Sequence, residues 1–267
     1  MSEALQQAAG ERLRRALAAL TRTPLTGALA GMVVTAVVQS SSATTVMVIG
    51  FVSAGLLELP QAVAVIFGAN IGTTVTAQLL AFRVEEMLGL VLFGGFFLCA
   101  VARTKRGRQM GTAVFSFGLL FAGMEQIQSV VEPLALRPEF EAWMAKVREK
   151  PLWGLLLGLG MTLVVQSSSA TIGVLQGVAR QAGPDGVHSL LGLAGAVPVL
   201  LGDNVGTTIT AILAAAGGTR DAKRAAAAHC CFNLSGSLVC LLALPWFVRL
   251  VELLPPEGEE LEIIARQ

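Results

Sequence analysis

Charge is scarce in this 267-residue chain. Asp, Glu, Lys and Arg together make up 14% of it, against about a quarter in an ordinary soluble domain. That deficit argues against a water-soluble globule. With 54% hydrophobic residues, 29 glycines and a mean hydropathy of +0.69, the composition points to a membrane protein. A net charge of +1 provides no basic field to gather nucleic acid. The N-terminus lacks the apolar core and small-residue cleavage site of a secretory leader; residues 1–22 read instead as a basic helix carrying Arg12, Arg14, Arg15 and Arg22. Cysteine is also sparse. Cys99, Cys230, Cys231 and Cys240 lie in or beside apolar runs, without a C-x-x-C and histidine set, and read as packed thiols rather than metal ligands. His188 and His229 are the only histidines, and neither has a counterpart in the other half of the chain. With no nucleophile–base pair and no nucleotide loop, an enzyme is not expected.

What the chain does have is a polar island that occurs twice. Gln39-Ser40-Ser41-Ser42-Ala43-Thr44 stands inside one apolar run and returns as Gln166-Ser167-Ser168-Ser169-Ala170-Thr171 inside another. Hydroxyls and amides both donate and accept hydrogen bonds, and leaving one unsatisfied in hydrocarbon costs roughly 2–7 kcal/mol. The islands belong to a longer repeat. At an offset of 127, residues 24–45 match 151–172 at 14 of 22 positions; at an offset of 134, residues 62–77 match 196–211 at 10 of 16. The change of offset implies seven extra residues in the second copy, around Gln181–Gly186. Two blocks in the same order describe a duplicated membrane unit.

Each unit begins with apolar stretches on either side of the island, Leu25–Val38 and Val46–Leu57 in the first. Each is too short to cross a bilayer core, which takes about 20 residues, and the two joined are too long. A re-entrant helical hairpin with the island at its tip fits both lengths; a kinked long helix is the alternative. The next apolar segment is interrupted by Gly68-Ala69-Asn70-Ile71-Gly72-Thr73-Thr74, and its counterpart by Gly202-Asp203-Asn204-Val205-Gly206-Thr207-Thr208. Paired glycines predict a broken transmembrane helix at each place, the arrangement that marks a transporter site in repeat proteins. Further spans are expected at Met87–Ala102, Met110–Val131 and Leu234–Val248, with an amphipathic interfacial helix at Pro138–Lys150.

Three crossings separate the two hairpins, so the second enters from the opposite face and the repeats are inverted. The basic clusters Arg12–Arg22, Arg103–Arg108 and Arg220–Arg224 then fall on one side, as the positive-inside rule requires. The expected organisation is a cytoplasmic or interfacial helix (1–23), repeat 1 (24–102), a linking basic loop, span and interfacial helix (103–150), repeat 2 (151–251) and a polar acidic tail (252–267).

Inverted hairpins would bring the two islands together near the midplane, with helix N-termini directed at an anion. The helix breaks would add hard oxygen ligands, which suit Na⁺ over a soft metal. No Lys or Arg lies in the four motifs and their one ionisable group is Asp203. A bound anion could not be neutralised by protein charge alone and would need hydroxyl donors, helix ends and co-bound cations, which is a physical reason for cation coupling. Small-residue packing is the plain reading of one Ser-rich stretch; two matched copies favour a site. Asp203 reads either as a functional acid or as a helix cap, and His229 as structural.

The paired QSSSAT motifs, the paired G-x-N-x-G-T-T motifs and the R-A-x-x-A-H-x-x-F-N run after the second resemble the sodium/phosphate cotransporter family, over nearly the whole chain. The resemblance implies that Gln39, Ser40, Ser41, Ser42, Thr44, Asn70, Thr73 and Thr74 bind substrate and ions together with Gln166, Ser167, Ser168, Ser169, Thr171, Asn204, Thr207 and Thr208; Asp203 joins them on its own chemistry. It implies a multi-pass inner-membrane symporter of inorganic phosphate with Na⁺ as coupling ion and no other cofactor. The first unit lacks the span that precedes the second, and family members similar to this chain continue further. The expectation is a fragment, a mis-started frame or a reduced protein that completes itself as a homodimer. The alternatives in function are a non-transporting membrane subunit and a carrier of another oxyanion.

Overall fold

The computed structural model describes residues 19–81, 87–183 and 189–253. The described part is all helical apart from one isolated bridge, Ala182 to Ser189. Repeat 1 supplies α1 (Pro24–Val38), α2 (Ser41–Ser53), α3 (Leu59–Ala81) and α4 (Leu88–Val101). The link supplies α5 (Lys105–Ala135) and α6 (Pro138–Glu149). Repeat 2 supplies α7 (Pro151–Val165), α8 (Ser168–Ala179), α9 (Gly192–Ala215), α10 (Arg220–Leu242) and α11 (Leu244–Glu252). Among the described residues four helices are long and apolar enough to cross a membrane: α3, α5, α9 and α10. The helices flanking each island are shorter, as expected.

The boundaries follow local chemistry. Proline opens α1 and α7 at the position where its missing N–H costs nothing. Thr23, Thr104 and Thr219 cap α1, α5 and α10 through their side chains. The connection from α8 to α9 (180–191) is seven residues longer than that from α2 to α3 (54–58), where the change of offset placed the insertion. His188, much of that insertion, the basic segment before residue 19 and the tail after residue 253 lie outside the described residues.

The largest correction concerns the broken helices. Both α3 and α9 run unbroken through Gly68–Thr74 and Gly202–Thr208. Their glycines serve contact instead of chain reversal. A methyl group on Gly68 would sit 1.8 Å from the carbonyl oxygen of Ala28, and one on Gly202 would sit 2.0 Å from that of Leu155. The partners are glycine-bearing too, since Gly31 and Gly158 would meet the carbonyls of Val65 and Val199 at 2.0 and 1.9 Å. Reciprocal G-x-x-x-G faces let α1 lie against α3 and α7 against α9 at backbone contact. In lipid, packing of this kind replaces the hydrophobic force as the source of helix association. The carbonyls of these helices therefore stay in their ladders and are not freed as ligands.

Smaller corrections follow. The second span starts at the basic cluster, so α5 is 31 residues long. The last span is no separate run: α10 starts at Arg220 and carries His229 and Asn233 within it. At 14 residues, α4 is below full crossing length. It packs along α5 through Gly95 against Phe115 and Gly111 against Cys99.

Among the described residues two larger apolar cores share α9, and the first of them joins the two repeats. One joins α2 and α3 to α9 and α10 through Ile49, Ile66, Ala211 and Ala225. The other joins α5, α6 and α8 to α9 through Val131, Val147, Val178 and Val199. Large apolar side chains on the outer faces of α1, α4, α7 and α10 stay uncovered, among them Val37, Phe93, Val164 and Leu242. That surface suits hydrocarbon and not water.

Candidate functional site: a cavity between two serine turns

Each island is a helix stop and a helix start in two consecutive residues. Gln39 ends α1 in the left-handed region at φ 59°, and Gln166 ends α7 at φ 54°; no other non-glycine residue among those described has positive φ. Their N–H groups bond back to the carbonyls of Thr35 and Thr162, both at 2.7 Å. The next residue is the N-cap of the following helix. Ser40 Oγ accepts from the Ala43 amide at 3.2 Å, and Ser167 Oγ from the Ala170 amide at 3.3 Å. A side chain in the left-handed region costs about 1–2 kcal/mol. Two equivalent glutamines hold it at matching places, and strain of this kind concentrates at binding sites.

The two turns meet. A cavity of about 130 Å³ is lined by Gln39, Ser40, Ser41 and Ser42 from repeat 1, by Gln166, Ser167, Ser168 and Ser169 from repeat 2, and by Thr73 and Thr76 of α3. Every lining side chain is a hydroxyl or an amide, and none is charged. The caps leave the first-turn amides of Ser41, Ser42, Ser168 and Ser169 without an intrahelical partner, at helix ends that carry partial positive charge.

The remaining candidates stand behind or beside the cavity. Thr44 and Thr171 are buried and brace the turns: Thr35 Oγ1 donates to Thr44 Oγ1 at 3.0 Å, and Thr162 and Thr171 hydroxyls lie 3.2 Å apart. In repeat 2 the brace has a third member. Thr162 Oγ1 donates to the carboxylate of Asp203 at 2.5 Å, and the hydroxyls of Ser168 and Thr171 lie close to the same carboxylate. Asp203 is 2% exposed, and Ala69 takes its place in repeat 1.

The structure divides the paired asparagines as well. Asn70 donates to Asn233 Oδ1 of α10 at 3.2 Å, whereas Asn204 is exposed. Thr74, Thr207 and Thr208 return their hydroxyls to carbonyls of their own helices, at 2.8, 2.7 and 2.7 Å. Thr73 does so at 3.3 Å while lining the cavity. Sequence reasoning missed Thr35, Thr162 and Thr76. The signal was available: Thr35 and Thr162 are identical in the repeat alignment, and Thr76 falls one turn after Thr73.

A duplicated helical membrane protein whose two copies close on one small uncharged polar cavity is the class defined by fold and site. The chain belongs to the Na⁺/Pi-cotransporter family, whose model matches it twice in tandem, at residues 1–129 and 130–252. It is 32% identical over 246 residues to the uncharacterized protein YqeW of Bacillus subtilis (strain 168), covering 92% of this chain and 78% of that one. It is 29% identical over 232 residues to YjbB of Escherichia coli (strain K12), provisionally named an inorganic phosphate export protein, covering 87% of this chain but 41% of that one. A stretch of 63 residues, 24% of this chain and 10% of the other, is 46% identical to sodium-dependent phosphate transport protein 2A of Ovis aries. No solved structure matches.

Proposed function

We propose that this chain carries inorganic phosphate across the cytoplasmic membrane together with Na⁺, both held where the two serine turns meet. The observation that carries this reading is the shared cavity, lined from both repeats by neutral hydrogen-bonding groups alone. At about 130 Å³ it is well below the ~300–1,000 Å³ of pockets for drug-sized organic ligands, and it suits a small inorganic ion. Hydroxyls and helix-end amides satisfy oxyanion oxygens but supply no full positive charge. A multiply charged anion in a low-dielectric site needs compensation, and Na⁺ supplies it.

Asp203 gives the cation a place. It is a buried carboxylate bonded to the hydroxyl of Thr162, with those of Thr171 and Ser168 nearby, a hard oxygen set that matches Na⁺. Ser168 belongs to this set and to the cavity lining at once, so it links the cation and the anion. Thr73 lines the cavity itself, whereas Asn70, Thr74, Thr207 and Thr208 bond within or between helices and act mainly by placing α3 and α9 around the turns.

The same reading gives the topology. Each short pair, α1–α2 and α7–α8, enters and leaves on one face as a re-entrant hairpin, and the two enter from opposite faces as inverted repeats. Support for the hairpins comes from helices too short to cross, equivalent caps and braces in both copies, and turn tips from both that line one cavity; the opposite entry requires α4, at 14 residues, to count as a crossing. The basic turns before α5 and α10 then share the cytoplasmic side. The name of YjbB favours a second reading, the same site working outward.

Reconstitution into liposomes tests all of this. Labelled phosphate should accumulate on imposing a Na⁺ gradient and fall to background when K⁺ or choline replaces Na⁺. Ser41→Ala and Ser168→Ala should each weaken apparent phosphate or Na⁺ affinity without unfolding the protein. Uptake indifferent to Na⁺ sinks the coupling, and no uptake in either gradient direction favours a non-transporting subunit. Competition by sulfate or arsenate reports on the choice of oxyanion.

A further inference from the structure

The turn between α4 and α5 carries four cations, Arg103, Lys105, Arg106 and Arg108, and no Asp or Glu occurs from residue 87 to residue 124. None of the four has an ion-pair partner among the described residues, where the ion pair present is Arg224 with Asp221. Three of them, Arg103, Lys105 and Arg108, line an open cleft of about 570 Å³ with Gln109, Thr104 and Thr112. The cleft sits at the N-terminus of α5, whose cap by Thr104 satisfies the Gly107 amide at 3.0 Å and leaves those of Lys105 and Arg106 without an intrahelical partner.

An apolar track leads to this cleft. Leu90, Phe93, Phe97 and Val101 are 69, 68, 55 and 59% exposed and recur at helical spacing along one face of α4. Gly94, on the same side, has nothing within 4 Å of where a side chain would begin. Val101 ends the track and also lines the cleft. A cationic cleft continuous with an uncovered apolar stripe has the two-part chemistry of one kind of molecule.

We propose that the α4–α5 turn binds the phosphate group of an acidic membrane lipid, with an acyl chain along the α4 track. Arg103 and Arg108 grip the phosphate oxygens, since guanidinium groups pair with phosphate in bidentate fashion, and Lys105 adds a point charge. Basic pockets at the cytoplasmic end of membrane helices take acidic headgroups by this logic. The site is separate from the serine cavity and shares no residue with it.

The test compares lipid retention by the purified full-length chain under native mass spectrometry, after exchange with equal amounts of phosphatidylglycerol and phosphatidylcholine. The wild type should retain phosphatidylglycerol. The double variant R103Q/R108Q should retain roughly tenfold less or lower still, the change expected from removing two surface cations. K146Q/R148Q, which removes two cations from α6, should behave as wild type. All four arginine and lysine changes fall on exposed side chains, so folding is preserved. Excess inorganic phosphate should leave the bound lipid in place. Equal retention by R103Q/R108Q overturns the site, as does an equal loss in K146Q/R148Q. Displacement of the lipid by free phosphate overturns the assignment to lipid and makes the turn a phosphate site. None of these readouts depends on transport, so failure here leaves the proposed function standing.

Discussion

Repeat 1 and repeat 2 build the same turn on different electrostatics. In repeat 1, Thr35 and Thr44 share a neutral hydroxyl–hydroxyl bond above Ala69. In repeat 2, Thr162 and Thr171 stand in the same relation above the carboxylate of Asp203. The backbone is indifferent to the change, with φ 59° and 54° at the two glutamines. The two copies therefore share the shape of the turn, and the difference between Ala69 and Asp203 puts an acid behind only one of them. On the proposed reading, paired turns with a carboxylate behind only one of them would hold an anion between them and its counter-ion to one side.

The sharpest way to break both copies alike is through their helix contacts. Gly31→Ala and Gly158→Ala each place a methyl about 2 Å from a backbone carbonyl that has no room to yield. Each should cost about 3 kcal/mol or more, seen as loss of the monodisperse species in detergent and a large drop in Tm. If one variant is tolerated and its counterpart is not, the two interfaces are not equivalent. The next effect should be one-sided. Asp203→Ala makes repeat 2 electrostatically like repeat 1, and Na⁺ half-saturation should rise about tenfold or more, from the loss of a hydrogen-bonded charge worth roughly 1.5–3 kcal/mol. Unchanged Na⁺ activation in liposomes would remove Asp203 from the cation site. Thr35→Val and Thr162→Val then sharpen the contrast. The first deletes one neutral bond, worth about 1 kcal/mol, and the second strips a donor from a buried carboxylate, at about 2 kcal/mol. Thermal melts of the two variants should show the larger loss for Thr162→Val.

How much of this was legible in sequence depends on whether the signal was local. The islands, the duplication, the length of the insertion and the short helices were all readable, because they rest on residue identity and on the fixed rise of a helix. The helix breaks were misread. Gly68 and Gly72 weaken a helix locally, by about 1 kcal/mol each relative to Ala, and that was the only effect visible along the chain. Their actual use requires a partner: Gly27 and Gly31 lie about 40 residues earlier in the chain, and nothing in one sequence says that these two faces meet. The different surroundings of Asn70 and Asn204 were hidden in the same way. Identical in the repeat, they part because α10 brings Asn233 to one of them, and repeat 1 has no matching H-x-x-F-N helix. The role of Thr35 and Thr162 was within reach, since an identical polar residue on an apolar face of both copies needs a bonding partner as much as the islands do.

The smallest effect tests the turn itself. Gln39 and Gln166 adopt a conformation that glycine enters without penalty, so Gln39→Gly and Gln166→Gly should each stabilise the folded protein by about 1 kcal/mol from relief of left-handed strain. The gain in Gln39→Gly is partly offset by loss of the Gln39 side-chain amide bond to the carbonyl of Ala36, a bond with no counterpart among those found for the more exposed Gln166. Glycine also removes an amide from the cavity. A site in which both glutamines contact substrate should therefore give two variants with higher Tm and weaker phosphate affinity, the Tm gain being larger for Gln166→Gly. If Tm rises while affinity holds, the glutamines serve the turn alone. If Tm falls in both, the left-handed geometry is no strain at all, and the side chains are what hold the two tips together.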